Sequence, residues 1–249
     1  MNKDELIEIF EDTVSYTESK DFNSVTTKHD FSQIDLTVGT NECNIEVINS
    51  DTVSAGYEYS KLGKTCILNM ASYKRAGGGV RKGARAQEEC LFRCSNLFDT
   101  VSQDFYPLSE DEGLYTKDSV FFKNRYYNLM EEFTVDVVTV AAVNLNKNSY
   151  FDKSKNKWIE GIVEKEDDYQ LVTESKIKLT LDLASKNECE NIILGAWGCG
   201  VFKNDPSEMC DMFKNVLNEY SFNFKNVIFA VINDHNSVGD NYDVFNSKF

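Results

Sequence analysis

Residues 64–98 read KTCILNMASYKRAGGGVRKGARAQEECLFRCSNLF and divide into three segments of different character. Lys64–Met70 is a short apolar run that predicts a buried strand, and Ala84–Phe98 places apolar residues at helical spacing. The triplet Gly77-Gly78-Gly79 stands between them. Because glycines have no Cβ, their N–H groups can approach the oxygens of a ligand closely. This order of strand, glycine loop and helix predicts a site for a phosphate-like anion near the helix N-terminus.

The charge around this glycine triplet opposes that of the whole chain. The chain has a formal net charge of -15 and a pI near 4.6. Glu88 and Glu89 follow the triplet, in the first turn of the predicted helix. They are candidates for acid/base chemistry, although glutamates in a first helical turn also serve simply to complement the helix dipole. The stretch from 71 to 87 contains no acid and five cations, which are Lys74, Arg75, Arg81, Lys82 and Arg85.

A second glycine loop of the same construction occurs at residues 194–202, LGAWGCGVF. It follows an apolar strand and precedes a helix for which Asp205 is the predicted N-cap and Pro206 the first residue. Phe202 lies in the loop before that cap, where it either stacks on a ribose or base or plugs the space between loop and helix. Because both glycine loops fall at strand-to-helix junctions, they can face a single cleft.

Continuous apolar runs indicate a sheet that is covered on both faces. Val137–Val143 is one such run, and strands of this kind are typical of parallel sheets with helices on either side. The predicted fold class is α/β, a three-layer α/β/α domain with a mixed, largely parallel central sheet. In such sheets ligands bind at the carboxyl ends of the strands, where both glycine loops fall. The predicted strands are Asn44–Ile48, Lys64–Met70, Val135–Val143, Asn191–Trp197 and Asn226–Asn233, with a weaker pattern at Ser119–Phe122.

Length and composition favour one domain spanning residues 1–249. A chain of 249 residues with 41% hydrophobic content can bury one sizeable core, and no linker or repeat divides it. Residues 1–20 predict an amphipathic helix, so that 1–40 is an N-terminal helical extension packed on the domain. Glu164–Asp168 is expected to be a solvated loop. Without a signal-like or membrane-spanning apolar segment, we expect a soluble intracellular protein, cytoplasmic or nuclear, with no membrane partner and with a monomer favoured.

Composition argues against several other classes of function. The acidic pI disfavours broad nucleic-acid binding, which needs a basic surface. Seven cysteines without a Cys-x-x-Cys pair support neither a disulfide framework nor a zinc ribbon, and only His29 and His235 are available as imidazole ligands. We therefore expect no metal site and no cofactor. Cys66 and Cys90 are interpreted as core residues, whereas Cys199 lies in a candidate ligand loop and is the cysteine to test for reactivity.

Both glycine loops and their flanks resemble those of the microbial-type poly(ADP-ribose) glycohydrolases of the macrodomain superfamily. The resemblance is carried by LNMASYKRAGGG at 68–79, GARAQEE at 83–89 and LGAWGCGVFKNDP at 194–206. Shorter similar stretches cover most of the chain between residues 44 and 233. Ala76 and Met70 depart from the family, which usually has proline and phenylalanine at these positions.

The resemblance implies a role for each candidate site residue. Glu89 would be the catalytic acid/base, and Glu88 would orient the distal ribose through its hydroxyls. The first glycine loop would shape the distal ribose and phosphate site, while the second would wrap the diphosphate. Adenine would lie near Asn49–Thr52. The implied substrate-binding residues are Asn69, Ser72, Gly77, Gly78, Gly79, Gln87, Gly198, Cys199, Gly200, Val201 and Phe202.

The implied reaction is hydrolysis of the ribose-ribose O-glycosidic bonds of poly(ADP-ribose) on modified proteins, which releases ADP-ribose. Its transition state resembles an oxocarbenium ion, so one carboxylic acid must protonate the departing oxygen. For this role we expect Glu89 to be partly buried and to have a raised pKa. Two alternatives remain open, namely removal of mono-ADP-ribose from a protein side chain and binding of ADP-ribose without catalysis. Gln87-Glu88-Glu89 is a feature that a pure binding module would not need.

Overall fold

A computed structural model describes residues 1–145, 149–152, 157–160, 168–233 and 240–249. Residues 164–167 of the expected acidic loop, and His235, lie outside these ranges. No helix in the described ranges is both long enough and apolar enough to span a bilayer.

The helices are α1 (Lys3–Glu18), α2 (Thr52–Ser60), α3 (Gln87–Cys94), α4 (Leu97–Thr100), α5 (Asp168–Lys186), α6 (Pro206–Glu219) and α7 (Asn241–Lys248). The strands are β1 (Val25–Asp30), β2 (Thr37–Val38), β3 (Asn44–Ile48), β4 (Thr65–Met70), β5 (Glu112–Lys123), β6 (Leu129–Val140), β7 (Ser149–Asp152), β8 (Lys157–Glu160), β9 (Asn191–Leu194), β10 (Tyr220–Ser221) and β11 (Asn226–Ala230).

Seven of these strands form one mixed sheet in the order β1-β5-β6-β4-β9-β11-β3. Strands β6, β4, β9, β11 and β3 are parallel neighbours, and β5 runs antiparallel to both β1 and β6. The parallel strands β4, β6, β9 and β11 end at Met70, Val140, Leu194 and Ala230, which places these four residues at one end of the sheet. The two glycine loops leave the sheet there, directly after β4 and β9.

Consecutive side chains of the central strands enter two separate cores. In β4, Cys66 and Leu68 pack with buried residues of α5 and α6, whereas Ile67 packs with buried residues of α2 and α3. Strands β9 and β11 alternate in the same way. Burial on both faces accounts for the continuous apolar runs in these strands. The predicted three-layer α/β/α fold class with a largely parallel sheet is confirmed.

The N-terminal residues supply both a helix and a strand. Helix α1 buries Leu6 and Phe10 and packs against α3, α4 and the turn at Val80–Lys82. Strand β1 then pairs with β5 at the edge of the sheet. No strand is predicted here from the sequence, because VTTKHD is polar and lacks the apolar run on which the other strand predictions depend. In the structure none of its residues is fully buried.

The predicted helix over Ala84–Phe98 is wrong in its bounds, because α3 covers only Gln87–Cys94. Ser95 is extended, with φ -146° and ψ 178°, and its backbone bridges to Phe121 of β5. The Ser95 hydroxyl donates to the Leu91 carbonyl at 2.7 Å, which satisfies the last turn of the helix. A tertiary contact with the sheet therefore ends the helix where the apolar spacing alone would continue it.

Several predicted strands are also shorter than expected at their carboxyl ends. Strand β6 ends at Val140, β9 at Leu194 and β11 at Ala230, each three residues before the predicted end. The chain leaves the sheet at these points to build the cleft described below. The weaker pattern at Ser119–Phe122 belongs to the longer strand β5, whose pairing with β6 is interrupted by register shifts.

Candidate active site

A cleft of about 370 Å³ lies at the carboxyl ends of the parallel strands. Ser72 and Arg85, in the first glycine loop (residues 71–86), line it together with residues of the second glycine loop, so the two loops face one cleft, as predicted. The candidate residues that line the cleft are Ser72, Gln87, Glu88, Glu89, Gly198, Gly200, Val201 and Phe202. The candidate residues that do not line it are Asn69, Gly77, Gly78, Gly79 and Cys199.

Gln87 fixes the start of α3 against the end of β4. Its Oε1 accepts a hydrogen bond from the Met70 N–H at 2.9 Å, and its Nε2 donates to the Leu68 carbonyl at 2.6 Å and to the Thr52 hydroxyl at 3.3 Å. The acceptor and both donor hydrogens of the amide are thus engaged within the protein. This side chain holds the next two residues, Glu88 and Glu89, in place at the end of the sheet.

Glu88 occupies a buried position in which only one carboxyl oxygen is held by the protein. Oε2 accepts from the Ser72 N–H at 2.7 Å, while Oε1 is buried with no hydrogen-bond partner among the described residues. Burial raises the pKa of Glu88 well above its ordinary value; the Ser72 N–H opposes this rise, and the charge of Glu89 adds to it. Such a carboxyl group favours the protonated form, which can donate a hydrogen bond as well as accept one.

Glu89 has a closely similar arrangement one residue further along α3. Its Oε1 accepts from the Gly79 N–H at 2.8 Å, and its Oε2 is buried without a partner in the described part of the chain. Glu89 is 6% exposed, which confirms the expected burial. Each of the two carboxyl groups therefore has one oxygen fixed by a backbone N–H and a second oxygen left for a substrate.

The glycine triplet wraps around these two carboxyl groups. Gly78 has φ +54°, and a Cβ at this position would lie 2.5 Å from Glu89 Oε1 and 2.7 Å from Glu88 Oε2. The Gly79 N–H binds Glu89, the Gly78 N–H binds a carbonyl within its own loop, and the Gly77 N–H faces Glu88 and opposes the rise in its pKa. The N–H groups of Gly78 and Gly79 are thus engaged within the protein, and a phosphate site at this loop stays a prediction.

Three consecutive N–H groups of the second glycine loop are available to bind a ligand. In the described ranges, the N–H groups of Gly200, Val201 and Phe202 make no hydrogen bond to the protein. Gly198 has φ +74°, and a Cβ there would lie 2.4 Å from Asn204 Nδ2, which donates to the Gly198 carbonyl. Asn204 therefore fixes the conformation of the loop through this hydrogen bond. Consecutive free N–H groups facing a cleft form a concave binding site for an anion.

Phe202 connects the two loops. Its ring centroid lies 6.2 Å from that of Tyr73 in the first loop, at an interplanar angle of 58°. The Phe202 side chain is half-buried, packs against the core on the α5 side of the sheet and also lines the cleft. Both roles that the sequence analysis weighed for Phe202, packing and ligand contact, are compatible with this position.

Asn69 and Ser72 lie beside Glu88. The Asn69 side chain is fully buried, donates to the Thr139 hydroxyl at 3.3 Å and opposes the rise in the pKa of Glu88. Ser72 holds Glu88 through its N–H, and its hydroxyl accepts from the Lys74 N–H at 3.2 Å. Both residues position the acids, and direct contact of their side chains with a substrate stays a prediction.

The cysteines differ from expectation in one respect. Cys66 is fully buried in the core, as predicted, but Cys90 is half-buried and lines the cleft beside Glu89. A hydrogen bond from the Cys94 thiol lowers the pKa of Cys90, whereas burial raises the pKa of Cys199, which has no exposed surface. Among the described residues, no three or more His, Cys, Asp or Glu side chains form a group suited to a metal ion.

The turn between β5 and β6 supplies cleft residues that the sequence analysis missed. Arg125 and Tyr127 line the cleft. The Asn124 side chain stabilises this turn, because its Oδ1 accepts hydrogen bonds from the Tyr126 and Asn128 N–H groups. Arg125 Nη1 lies 3.6 Å from Oδ2 of Asp51, which is within the expected adenine region and caps α2. A cation and two tyrosines in the polar turn NRYYN were the available signal.

Comparisons with known proteins point in one direction. Residues 3–126 match the family model described as microbial-type PARG, catalytic domain. No curated protein matches the chain. Similar solved structures include poly(ADP-ribose) glycohydrolase from Thermomonospora curvata bound to the inhibitor ADP-HPD, at 23% identity over 98% of this chain and 99% of that chain, with a TM-score of 0.81. Another is poly(ADP-ribose) glycohydrolase (PARG) from Deinococcus radiodurans in complex with ADP-ribose, at 23% identity over 90% and 93% of the two chains, with a TM-score of 0.74. At these identities the likeness shows a shared fold.

Proposed function

We infer that this chain, which matches the microbial-type poly(ADP-ribose) glycohydrolase family over residues 3–126, is itself a glycohydrolase of poly(ADP-ribose). It hydrolyses the ribose-ribose O-glycosidic bonds of the polymer and releases ADP-ribose. The similar enzymes from Thermomonospora curvata and Deinococcus radiodurans support this substrate, since their structures hold ADP-HPD and ADP-ribose.

The observation that carries the inference is the pair of buried acids facing the cleft. Glu88 Oε1 and Glu89 Oε2 have no partner among the described residues, although each is buried. A buried polar atom without a hydrogen bond costs about 1–3 kcal/mol, so a protein that keeps two of them in one cleft gains from a ligand that satisfies both. A ribose, with its adjacent hydroxyls and glycosidic oxygen, has the groups to do so.

Glu89 is the general acid and then the general base. Protonated Glu89 gives its proton to the departing ribose oxygen while the glycosidic C–O bond breaks and positive charge develops on the distal ribose. A water molecule then adds to the anomeric carbon, and the Glu89 carboxylate takes the proton that this water loses. The products are free ADP-ribose and a polymer shortened by one unit, and no metal or organic cofactor takes part.

The other site residues hold the substrate and the acids. Glu88 binds hydroxyls of the distal ribose, and its raised pKa suits it to donate as well as accept. The free N–H groups from Gly200 to Phe202 bind the diphosphate, whose negative charge also stabilises the developing cation. Phe202 stacks near the ligand, and adenine lies toward Asn49–Thr52. The first glycine loop and Gln87 act by positioning Glu88 and Glu89.

We further propose that residues 1–249 form one domain that acts as a monomer on ADP-ribosylated proteins. The first loop and the second loop come from different halves of the chain and line the same cleft, which supports a single domain. Helix α1 packs against α3, which carries both acids, so the N-terminal residues belong to that domain.

The deciding experiment compares ADP-ribose release from poly(ADP-ribosyl)ated protein by the wild type and by Glu89→Gln. General acid/base catalysis contributes about 10²–10⁴-fold, so we expect turnover to fall by that factor while the affinity for ADP-ribose changes by no more than about threefold. Glutamine keeps an oxygen that can accept from Gly79, so the fold is preserved. Equal losses of turnover and affinity would contradict the role of Glu89.

Two controls separate this function from its rivals. Glu58→Gln, on the exposed face of α2, makes the same chemical change away from the cleft and should leave turnover unchanged. Mono-ADP-ribosylated protein serves as a parallel substrate. Release from that substrate alone would redirect the assignment to a side-chain hydrolase, and tight binding of ADP-ribose without release from either substrate would leave a binding module.

A further inference from the structure

The first glycine loop carries a group of exposed cations that the reaction described above does not use. We call this group the basic rim; it consists of Lys74, Arg75, Arg81, Lys82 and Arg85, and all five side chains are exposed. The whole chain carries a formal net charge of -15, so the rim is a local reversal of charge. A polyanion approaching this protein is repelled over most of the surface and attracted here.

Several rim cations have no negative partner. In the ranges that the structure describes, Arg75, Arg81, Lys82 and Arg85 form no ion pair with a carboxylate. Arg75 and Lys82 use only their backbone atoms in hydrogen bonds, so their charged ends are directed to solvent. Unpaired cations on an acidic protein are the feature expected of a surface that receives phosphate groups.

Two rim cations are held in place by the N-terminal residues and by α4. The Arg81 guanidinium lies 4.6 Å from the ring centroid of Phe98 and 5.5 Å from that of Phe10 on α1. Arg85 donates to the carbonyl of Met1 and also lines the cleft. Because these side chains are already ordered, less conformational entropy is lost when they bind a ligand.

One rim residue, Arg85, lines the cleft together with Glu89. Gly79 binds Glu89 Oε1, and the rim residues precede and follow Gly79 in the same loop. A leaving group protonated by Glu89 must depart past this loop. In a polymer cut at a ribose-ribose bond, that leaving group is an adenosine ribose whose own diphosphate is only a few bonds away. In mono-ADP-ribosylated protein, the leaving group is an amino acid side chain without phosphate.

We propose that the basic rim binds the diphosphate of the leaving group, which is the polymer that remains after ADP-ribose is released. The rim thereby favours poly(ADP-ribose) over mono-ADP-ribosylated protein. This inference rests on the proposed function. It adds a second anion site to the cleft: the free N–H groups from Gly200 to Phe202 bind the diphosphate of the released ADP-ribose, and the rim binds the diphosphate of the chain that remains.

The test reverses two rim charges in the double variant Arg75→Glu/Lys82→Glu, whose side chains make no contact that the fold requires. Lys117→Glu is the control for a charge reversal outside the rim, because Lys117 is exposed on β5 at the opposite end of the sheet; it makes half of the charge change of the double variant. For each protein we would measure kcat/KM on long poly(ADP-ribose) as a function of salt, the affinity for free ADP-ribose, and the melting temperature. The rim variant should lose about tenfold or more in kcat/KM at low salt, and its salt slope should fall by about 1.4, because each of the two lost phosphate contacts removes about 0.7 from the slope.

Free ADP-ribose should bind the rim variant with the same affinity as the wild type, because its distal ribose lies at Glu89 and no part of this ligand reaches the rim. The proposal is overturned if the wild type cleaves polymer and the rim variant keeps both its kcat/KM and its salt slope. It is also overturned if Lys117→Glu shows an equal loss, since the effect would then come from total charge. If the wild type releases no ADP-ribose from polymer at all, the proposed function fails, and this inference fails with it.

Discussion

At the scale of single residues, Glu88 and Glu89 show how two adjacent identical side chains acquire different chemistry. Glu88 receives its N–H from Ser72, at the end of β4, and Glu89 receives its N–H from Gly79, in the glycine triplet. The two acids are therefore held by two different segments of the same loop. A raised pKa at Glu88 suits a residue that keeps its proton and binds hydroxyls, in keeping with the proposed roles of the two acids.

Glu88 should make the stability of the protein depend on pH. A carboxyl group whose folded pKa is raised stabilises the fold below its ordinary value of 4.5, and this stability is lost as the pH rises through the folded pKa. Glu88→Gln removes the ionisation and keeps an acceptor for Ser72. We expect the variant and the wild type to melt alike near pH 5 and the variant to melt about 3 °C or more higher at pH 8, where about 1 kcal/mol corresponds to about 2–4 °C. A difference in melting temperature that does not change with pH would contradict this account.

Thiol chemistry should occur at Cys90, not at Cys199. Cys90 lines the cleft and its pKa is lowered, whereas Cys199 is fully buried with a raised pKa. We expect iodoacetamide to label Cys90 at least about tenfold faster than Cys199, as followed by peptide mass spectrometry, because the thiolate is the reactive form. Saturating ADP-ribose should slow labelling of Cys90. Cys43, which is half-buried and does not line the cleft, provides the control whose labelling the ligand should leave unchanged.

At the scale of elements, α1 is connected to the catalytic helix through a buried arginine. Arg93 on α3 has no exposed surface; its Nε donates to the Leu6 carbonyl at 3.0 Å and its Nη2 to the Ala84 carbonyl at 2.7 Å. The Thr13 hydroxyl on α1 donates back to the Arg93 carbonyl at 2.7 Å. The guanidinium thus joins α1, α3 and the end of the first glycine loop. An alteration in α1 should therefore be felt at the acids.

Gly83 tests this connection. It has φ +68°, and a Cβ there would lie 2.5 Å from the backbone oxygen of Lys3 on α1. Gly83→Ala combines an unfavourable left-handed conformation with a backbone clash, so we expect a loss of about 2–4 kcal/mol in the free energy of unfolding, measured by urea titration. Turnover should also fall, because the turn that Gly83 ends begins at Gly79, which holds Glu89. Unchanged turnover in the folded variant would show that α1 and the acids are independent.

At the scale of the whole molecule, the two ends of the sheet have separate tasks. The cleft lies at the carboxyl ends of the parallel strands, while the opposite end holds a buried carboxylate, Asp136, on β6. Its Oδ2 accepts from the Tyr115 hydroxyl at 2.7 Å and lies 3.2 Å from Lys64 Nζ, and its Oδ1 accepts from the Asp118 N–H at 2.9 Å. No residue of this network lines the cleft. The network therefore contributes to stability and not to catalysis.

Tyr115→Phe should separate these tasks. It removes one of the hydrogen bonds to a buried carboxylate, which costs about 1–3 kcal/mol, and we expect the melting temperature to fall by about 2–10 °C. The kcat on polymer below the melting range should stay within about twofold of the wild type. The variant also serves as the comparison for Gly83→Ala, since both reduce stability but only Gly83 is connected to Glu89. A large loss of kcat in Tyr115→Phe would contradict the separation of the two ends.

Much of this architecture could be predicted from local sequence. The apolar runs in β4, β9 and β11 indicate strands buried on both faces, and the N-cap Asp205 with Pro206 marks the start of α6, where Asp205 indeed accepts from the Ser207 and Glu208 N–H groups. These features depend on residues near one another in the chain, so propensity and periodicity are sufficient to find them. The glycine triplet before Gln87-Glu88-Glu89 likewise predicted that the acids lie in the first turn of the following helix, where α3 indeed has them.

Other features depended on contacts between distant segments, and only the tertiary structure decided them. Ser95 ends α3 because it pairs with β5, and Arg125 enters the cleft because the β5-β6 turn folds over it. Which glycine loop would hold an outside anion could not be told from composition, since both loops are rich in glycine. In the described ranges, N–H groups of the first loop are used by Glu88, Glu89 and the loop itself, while those of Gly200, Val201 and Phe202 make no hydrogen bond to the protein, which supports the proposal that the second loop binds the diphosphate. Sequence determined where the reactive groups stand in the chain, and the order of strands in the sheet determined which of them meet.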